Sequence, residues 1–200
     1  MDSNKFILNL KDLQEKDAPF LETIFSIANG HFGVRASNPI TDAENFDTLV
    51  NGFYEKSPIH YGESAYGYAK FNQTIVKVTN LRHIKVTNTD GIDFNRSELI
   101  SMKLNMKNGT LTEDYHLFNT VNDEIRMEIT SCISQHDRNW YSISYKFTPI
   151  TYHANLPSVR QSSSTPQLRY SIPEIHVNQT FHIHYQFMEN VKSTTHTTVF

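Results

Sequence analysis

Apolar and polar residues alternate along three runs of the chain. Met102, Leu104 and Met106 interleave with Lys103, Asn105 and Lys107. Ile125, Met127, Ile129 and Ile133 share one phase, with Arg126, Glu128 and Thr130 in the other. Tyr141, Ile143, Tyr145 and Phe147 alternate with Ser142, Ser144 and Lys146. A period of two sends successive side chains to opposite sides of an extended chain. Each run therefore predicts a strand with one dry and one wet face, as antiparallel sheets carry. Turn signals separate the runs. Asn108-Gly109 leads into residues 110–118, and Asn29-Gly30 sits between Phe25/Ile27 and Phe32/Val34. Both dipeptides tolerate the positive φ of a tight hairpin. Asn88-Thr89-Asp90-Gly91 and Val121-Asn122-Asp123 predict two further turns. No amphipathic helix longer than about three turns is predicted, and the mixed-polarity segment starting near Asp12 is expected to end at Pro19. Strands spaced by roughly ten residues point to an all-β sandwich or barrel.

Composition divides the chain. All seven glycines lie at or before Gly109, and residues 151–200 hold five of the 39 charged residues. Those last fifty residues carry 22 Ser, Thr, His and Gln. This predicts a body over residues 1–150 and a divergent polar tail over 151–200, either disordered or read out of frame. One run opposes that division: Phe181, Ile183 and Tyr185 alternate with His182, His184 and Gln186.

Charge and cysteine content narrow the chemistry. A net charge of −3 offers no basic face for nucleic acid. The single cysteine, Cys132, excludes an intramolecular disulfide framework and a Cys-rich zinc site. No apolar run approaches a membrane span, and the N-terminus shows no signal peptide, so a soluble, cytoplasmic protein is expected. The nucleophile-elbow, Cys-x-x-Cys, His-Glu-x-x-His and phosphate-loop patterns are all missing. Cys132 falls opposite the Ile125/Ile129/Ile133 face and is expected to be structural. His182-x-His184 would put two imidazoles on one strand face, but no nearby carboxylate or cysteine completes a ligand set, so no metal is expected.

One segment, residues 51–68, departs from both periodicities. It holds Phe53, Tyr54, Tyr61, Tyr66 and Tyr68 together with Glu55 and Glu63, three glycines and a proline. Without a period it reads as a shaped loop. Aromatic faces pack on the C–H faces of sugar rings, and carboxylates accept hydrogen bonds from hydroxyls, a mixture suited to carbohydrate. The competing reading is a loop folded over the sandwich edge with its rings buried. Tyr54, Glu55, Tyr61 and Glu63 are the candidate substrate contacts.

Three stretches carry a family resemblance. The run from Glu22 through Ser26-Ile27-Ala28-Asn29-Gly30-His31-Phe32-Gly33-Val34-Arg35 is the first. The second is Asn51-Gly52-Phe53-Tyr54-Glu55 followed by Pro58-Ile59 and Tyr61-Gly62-Glu63. The third is Asp137-Arg138 with Ile143, Tyr145 and Thr148-Pro149. In order and spacing they resemble the N-terminal domain of glycoside hydrolase family 65, which holds maltose, kojibiose and trehalose phosphorylases and acid trehalases. Ala36 stands where that family usually has glycine. The resemblance implies a large antiparallel β-sandwich of the galactose mutarotase type, incomplete here. It further implies a missing helical barrel that would carry the catalytic glutamate and phosphate site. No catalytic residue is therefore assigned. Intact relatives would be cytoplasmic, homodimeric, inverting disaccharide phosphorylases or hydrolases. They would bind a disaccharide or glucose and use inorganic phosphate as co-substrate, with no metal or organic cofactor. The alternative is a stand-alone carbohydrate-binding or scaffolding sandwich without catalysis.

Overall fold

A computed structural model describes residues 3–14, 17–41, 48–63, 65–88, 90–151, 158–161, 180–186 and 194–199. The strands run in chain order as β1 (Ile7–Asn9), β2 (Ile27–Ala28), β3 (Phe32–Val34), β4 (Thr48–Pro58), β5 (Phe71–Thr79), β6 (Ile84–Thr87) and β7 (Phe94–Asn105). They continue as β8 (Thr110–Asn119), β9 (Glu124–Ile133), β10 (Trp140–Pro149), β11 (Ser158–Gln161), β12 (Thr180–Gln186) and β13 (Thr194–Val199). An antiparallel seven-stranded sheet has the order β1-β7-β8-β9-β10-β12-β13, facing a four-stranded sheet β2-β3-β4-β5, with β11 and β6 forming a separate pair. The protein is thus an all-β antiparallel sandwich.

The alternation read from the sequence is the alternation of burial. Along β9, Ile125, Met127, Ile129 and Ile133 are buried, and along β10 Tyr141, Ile143, Tyr145 and Phe147 are buried. Arg126, Glu128 and Lys146 line the solvent face, where Arg126 grips Asp114 through bonds of 2.7–3.1 Å and Lys146 reaches Glu128 at 2.8 Å. The inner faces meet in one core: Phe32 of β3 packs against Tyr141 of β10 with ring centroids 5.8 Å apart. Met106 is an exception to the predicted phase. It lies past the end of β7 and is exposed, because the chain is already entering the turn at Gly109, whose φ is +67°. The turn after β8 relies on Asn122 at φ 64°, a side chain that tolerates this region.

The one α-helix among the described residues, α1 (Ala18–Ile24), has seven residues. Pro19 sits in its first turn, so it opens the helix where the sequence reading had it close a segment. A fixed φ and a missing N–H suit a helix start, where that N–H has no partner in any case.

The expected division near residue 150 is not an edge of the sheet. β12 pairs with β10 over seven residues, from Trp140↔Gln186 to Lys146↔Thr180, and β13 pairs with β12 in turn. Ser158–Gln161 pairs with β6. An antiparallel ladder needs backbone donors and acceptors and a matching alternation. It needs neither glycine nor charge. The rest of the tail lies outside the described residues.

Candidate functional site

Residues 51–58, expected as loop, are strand. β4 and β5 pair as a long two-stranded ribbon, in register from Tyr54↔Ile75 to Pro58↔Phe71. Only residues 59–70 connect them. The ribbon escaped the periodicity because it has no dry face: Tyr54, Glu55, Lys56, Phe71, Ile75 and Val76 are all exposed. A strand wet on both sides has nothing to alternate against. Between Leu49 and Tyr54, four residues of β4 stand against the single Val76 of β5, a bulge of three, with Gly52 at φ +101°. A φ of that sign is open to glycine and strained for other residues.

The register decides which candidate residues can act together. Tyr54, Lys56 and Pro58 share a face with Ile75, Gln73 and Phe71, while Glu55 and Ser57 share the other with Thr74 and Asn72. Tyr54 and Glu55 are therefore back to back and cannot both touch one ligand lying on a single face. On the apolar face the Lys56 ammonium lies 5.1 Å from the Phe71 ring centre. The Tyr54 hydroxyl donates to Asn51 Oδ1. In the connection, the Tyr61 and Tyr68 rings lie 5.0 Å apart, the Tyr61 hydroxyl donates to the Ala69 carbonyl at 3.1 Å, and Glu63 is exposed. Tyr66 stands fully in solvent. The structure thus gathers Tyr61 with Tyr68, leaves Glu63 in the same connection, and separates Tyr54 from Glu55.

Below the ribbon, the three stretches that carry the family resemblance meet. The Asn29 side-chain amide donates to the carbonyls of Ser134 and Arg138 at 2.8 and 3.0 Å. Its oxygen accepts from the backbone N–H groups of His31 and Phe32. The Asn51 N–H donates to the His31 carbonyl at 2.7 Å. Asn29 therefore pins the β2–β3 turn to the β9–β10 turn, and His31 ties it to the root of the ribbon. Arg35 closes the first stretch on itself through Glu22 at 3.0 Å. Replacing Asn29 by Ala orphans two carbonyls and two N–H groups, and a destabilisation of about 2–3 kcal/mol is expected. Urea unfolding followed through Trp140 fluorescence measures it.

Sequence reasoning missed a buried ion pair. Arg82 donates through Nη2 to both Glu113 oxygens at 2.7 Å, and through Nε to the Ser37 carbonyl at 3.2 Å. The Tyr115 hydroxyl adds a bond to Glu113 at 3.1 Å, and the Tyr145 hydroxyl donates to the Arg82 carbonyl at 2.8 Å. Burial, the largest single influence, works against the Arg82 charge, but Glu113 together with Tyr141 and Tyr115 outweighs it and raises the guanidinium's pKa. Burial also pushes Tyr141 up to about 12, with Arg82 pulling the other way. One signal was available. Glu113 falls in phase with Leu111, Tyr115 and Leu117, all inward on β8.

Inverting cleavage of a glycosidic bond uses two carboxyl groups facing a shared cleft. The cavity beside α1, about 340 Å³, has Glu22 as its one carboxylate, and Arg35 holds it. Cys132 is half-buried, and burial raises its thiol pKa, which fits a structural residue rather than a nucleophile. Among the described residues no helix is long and apolar enough to cross a membrane.

Comparison with known proteins agrees with this architecture. The family model for the glycosyl hydrolase family 65 N-terminal domain matches residues 9–187. An uncharacterized glycosyl hydrolase of Mycobacterium tuberculosis (strain H37Rv) is 30% identical over 162 residues, covering 74% of this chain and 20% of that protein. The α,α-trehalose phosphorylase of Thermoanaerobacter brockii is 30% identical over 141 residues, covering 66% of this chain and 18% of that enzyme. Among solved structures, a protein described as a kojibiose phosphorylase from the human microbiome superposes with a TM-score of 0.63 at 16% identity. It covers 94% of this chain and 28% of its own. The chain spans about a fifth of the length of the curated relatives it matches. With the match extending from Asn9 in β1 to Phe187 just past β12, the chain belongs to glycosyl hydrolase family 65 through its N-terminal domain.

Proposed function

We propose that this chain serves as the N-terminal sandwich of an inverting disaccharide phosphorylase or hydrolase acting on an α-glucoside. In this reading it supplies no catalytic acid, and its β4–β5 ribbon faces the sugar side of the complete enzyme. The carrying observation is the ribbon itself, an arm outside the core with tyrosines in solvent at 54, 61, 66 and 68. Rings kept wet at that density offer stacking faces for a disaccharide or glucose. Tyr54 and Tyr61 would stack on the sugar. Glu55 and Glu63 would accept hydrogen bonds from its hydroxyls, with Glu55 serving a group on the polar face of the ribbon. The reaction would use inorganic phosphate as co-substrate, or water in a hydrolase, and would need no metal or organic cofactor. A cytoplasmic homodimer fits the reading.

The test grafts residues 1–187 onto a full-length relative, such as the trehalose phosphorylase, and replaces Tyr54 by Ala and Glu55 by Gln separately. Losing one stacking face should raise KM for the disaccharide about five- to tenfold with kcat and thermal midpoint little changed. An unchanged KM with a lowered midpoint would make the ribbon a structural arm and remove the sugar-side role.

A further inference from the structure

Asn-Gly occurs three times in the chain, at Asn29-Gly30, Asn51-Gly52 and Asn108-Gly109. An asparagine followed by glycine is open to self-cyclisation, because a residue without Cβ lets its backbone nitrogen approach the side-chain amide. The fold gives the three pairs different surroundings. Asn108 is exposed in the turn over residues 106–109 that joins β7 to β8. Its Oδ1 accepts from the Thr110 N–H at 3.2 Å, its one side-chain hydrogen bond among the described residues. That bond folds the side-chain carbonyl back over the peptide between residues 108 and 109 and sets Cγ beside the Gly109 nitrogen. We infer that Asn108 is a site of spontaneous deamidation, converted in the folded protein to aspartate and isoaspartate ahead of the other two asparagines.

The reaction needs only water. The Gly109 nitrogen bonds to Asn108 Cγ, the Cγ–Nδ2 bond breaks, and the proton from that nitrogen leaves with Nδ2 as ammonia. Negative charge that develops on Oδ1 during the attack meets the Thr110 N–H that already faces it. Water then opens the succinimide. Cleavage between the Gly109 nitrogen and Cγ gives aspartate, and cleavage between that nitrogen and the main-chain carbonyl carbon gives isoaspartate. Asn29 is held against the same reaction. Its Oδ1 accepts from both His31 and Phe32, and Nδ2, the group that must leave, is bound to the carbonyls of Ser134 and Arg138 at 2.8 and 3.0 Å. Those bonds to Nδ2 must break before ammonia can depart, which slows the reaction at least about tenfold. Asn51 is exposed, but its Oδ1 accepts the Tyr54 hydroxyl and its N–H is bound to the His31 carbonyl at 2.7 Å, so it is fixed within β4. The product alters a defined place. Asn108 lines a cavity of about 390 Å³ between the β7–β8 turn and β2, with Ser26, Lys107 and Gln135 on the same wall. Either product puts a carboxylate there beside Lys107, and isoaspartate also lengthens the main chain of the turn.

The experiment incubates the full chain in mildly alkaline buffer and maps its peptides by mass over time, with fragment ions separating isoaspartate from aspartate. Both products are expected at Asn108, forming at least about tenfold faster than at Asn29, with Asn51 between them. Incubation in denaturing urea should bring Asn29 near the rate of Asn108, because both are followed by glycine and the fold alone protects Asn29. N108Q should remove the early products and leave the slow ones in place, since the longer side chain must close a larger ring. Asn108 unmodified while Asn29 or Asn51 reacts, equal rates at Asn108 and Asn29 in the folded chain, or a difference between them that persists in urea would each overturn the proposal. Should N108Q fail to fold, the folded and unfolded rates of the parent decide.

Discussion

Replacing Glu113 by Gln is expected to lower stability by about 3–5 kcal/mol, among the largest single-residue effects in this protein. The reason lies in what remains. Arg82 is fully buried, and both its short bonds from Nη2 end on the Glu113 carboxylate. A neutral amide can accept a hydrogen bond but cannot balance a guanidinium held away from water, and leaving a buried charge uncompensated is the costly outcome. The pair also fixes position. Arg82 sits in the link between β5 and β6, where the Asn80 side-chain oxygen accepts from the N–H groups of Arg82 and His83. Its guanidinium holds that link to Ser37 and to β8. Removing both charges together should behave differently. R82M with E113L fills the space with apolar volume, and a buried pair replaced in this way is often neutral or stabilised. The expected pattern is a large loss for the single variant and recovery for the double, read from urea midpoints. A double variant as unstable as E113Q would show that the hydrogen bonds to Ser37 and Tyr115, not charge balance, carry the effect.

The contrast between this pair and the strands around it shows what periodicity can reveal. The end of β7, β9 and β10 were legible because each separates a dry face from a wet one, so their alternation is written into residue type. The β4–β5 ribbon is equally regular in its backbone and was invisible, since both its faces are wet. Its reading as a loop had a consequence. Tyr54 and Glu55 looked like neighbours able to share a sugar, and only the register shows them facing apart. Glu113 carried a faint signal, a charge at an inward position of a regular strand. Arg82 carried none, because its burial depends on a partner 31 residues away in a different strand. Asn29 lay inside a recognised motif, but its bonds to Ser134 and Arg138 span more than a hundred residues. The candidate site was thus legible as a composition and as a set of motifs. Its faces and its long-range fastenings were not.

A chain ending at Thr151 is expected to lose cooperative unfolding and to bind hydrophobic dyes. Composition alone argues the opposite, because a glycine-free tail poor in charge looks dispensable. The register argues for loss. β12 pairs with seven of the ten residues of β10, with Phe181, Ile183 and Tyr185 at positions opposite Tyr145, Ile143 and Tyr141. Those three partners are buried in the core of the sandwich. Deleting β12 turns β10 into an edge strand with unpaired backbone groups beside some of the largest buried side chains of the protein. It also removes three apolar residues from the register positions that continue the dry face. Opening that edge acts on a domain whose whole stability is typically only roughly 5–15 kcal/mol. Hydrogen exchange on the full chain gives the companion result. Amides of Thr180–Gln186 should exchange as slowly as those of Trp140–Pro149, because a central antiparallel pair opens only when the sheet opens. A truncated chain that keeps its thermal midpoint, together with fast exchange across β12, would restore the boundary near residue 150 and make the last fifty residues an appendage to the sandwich.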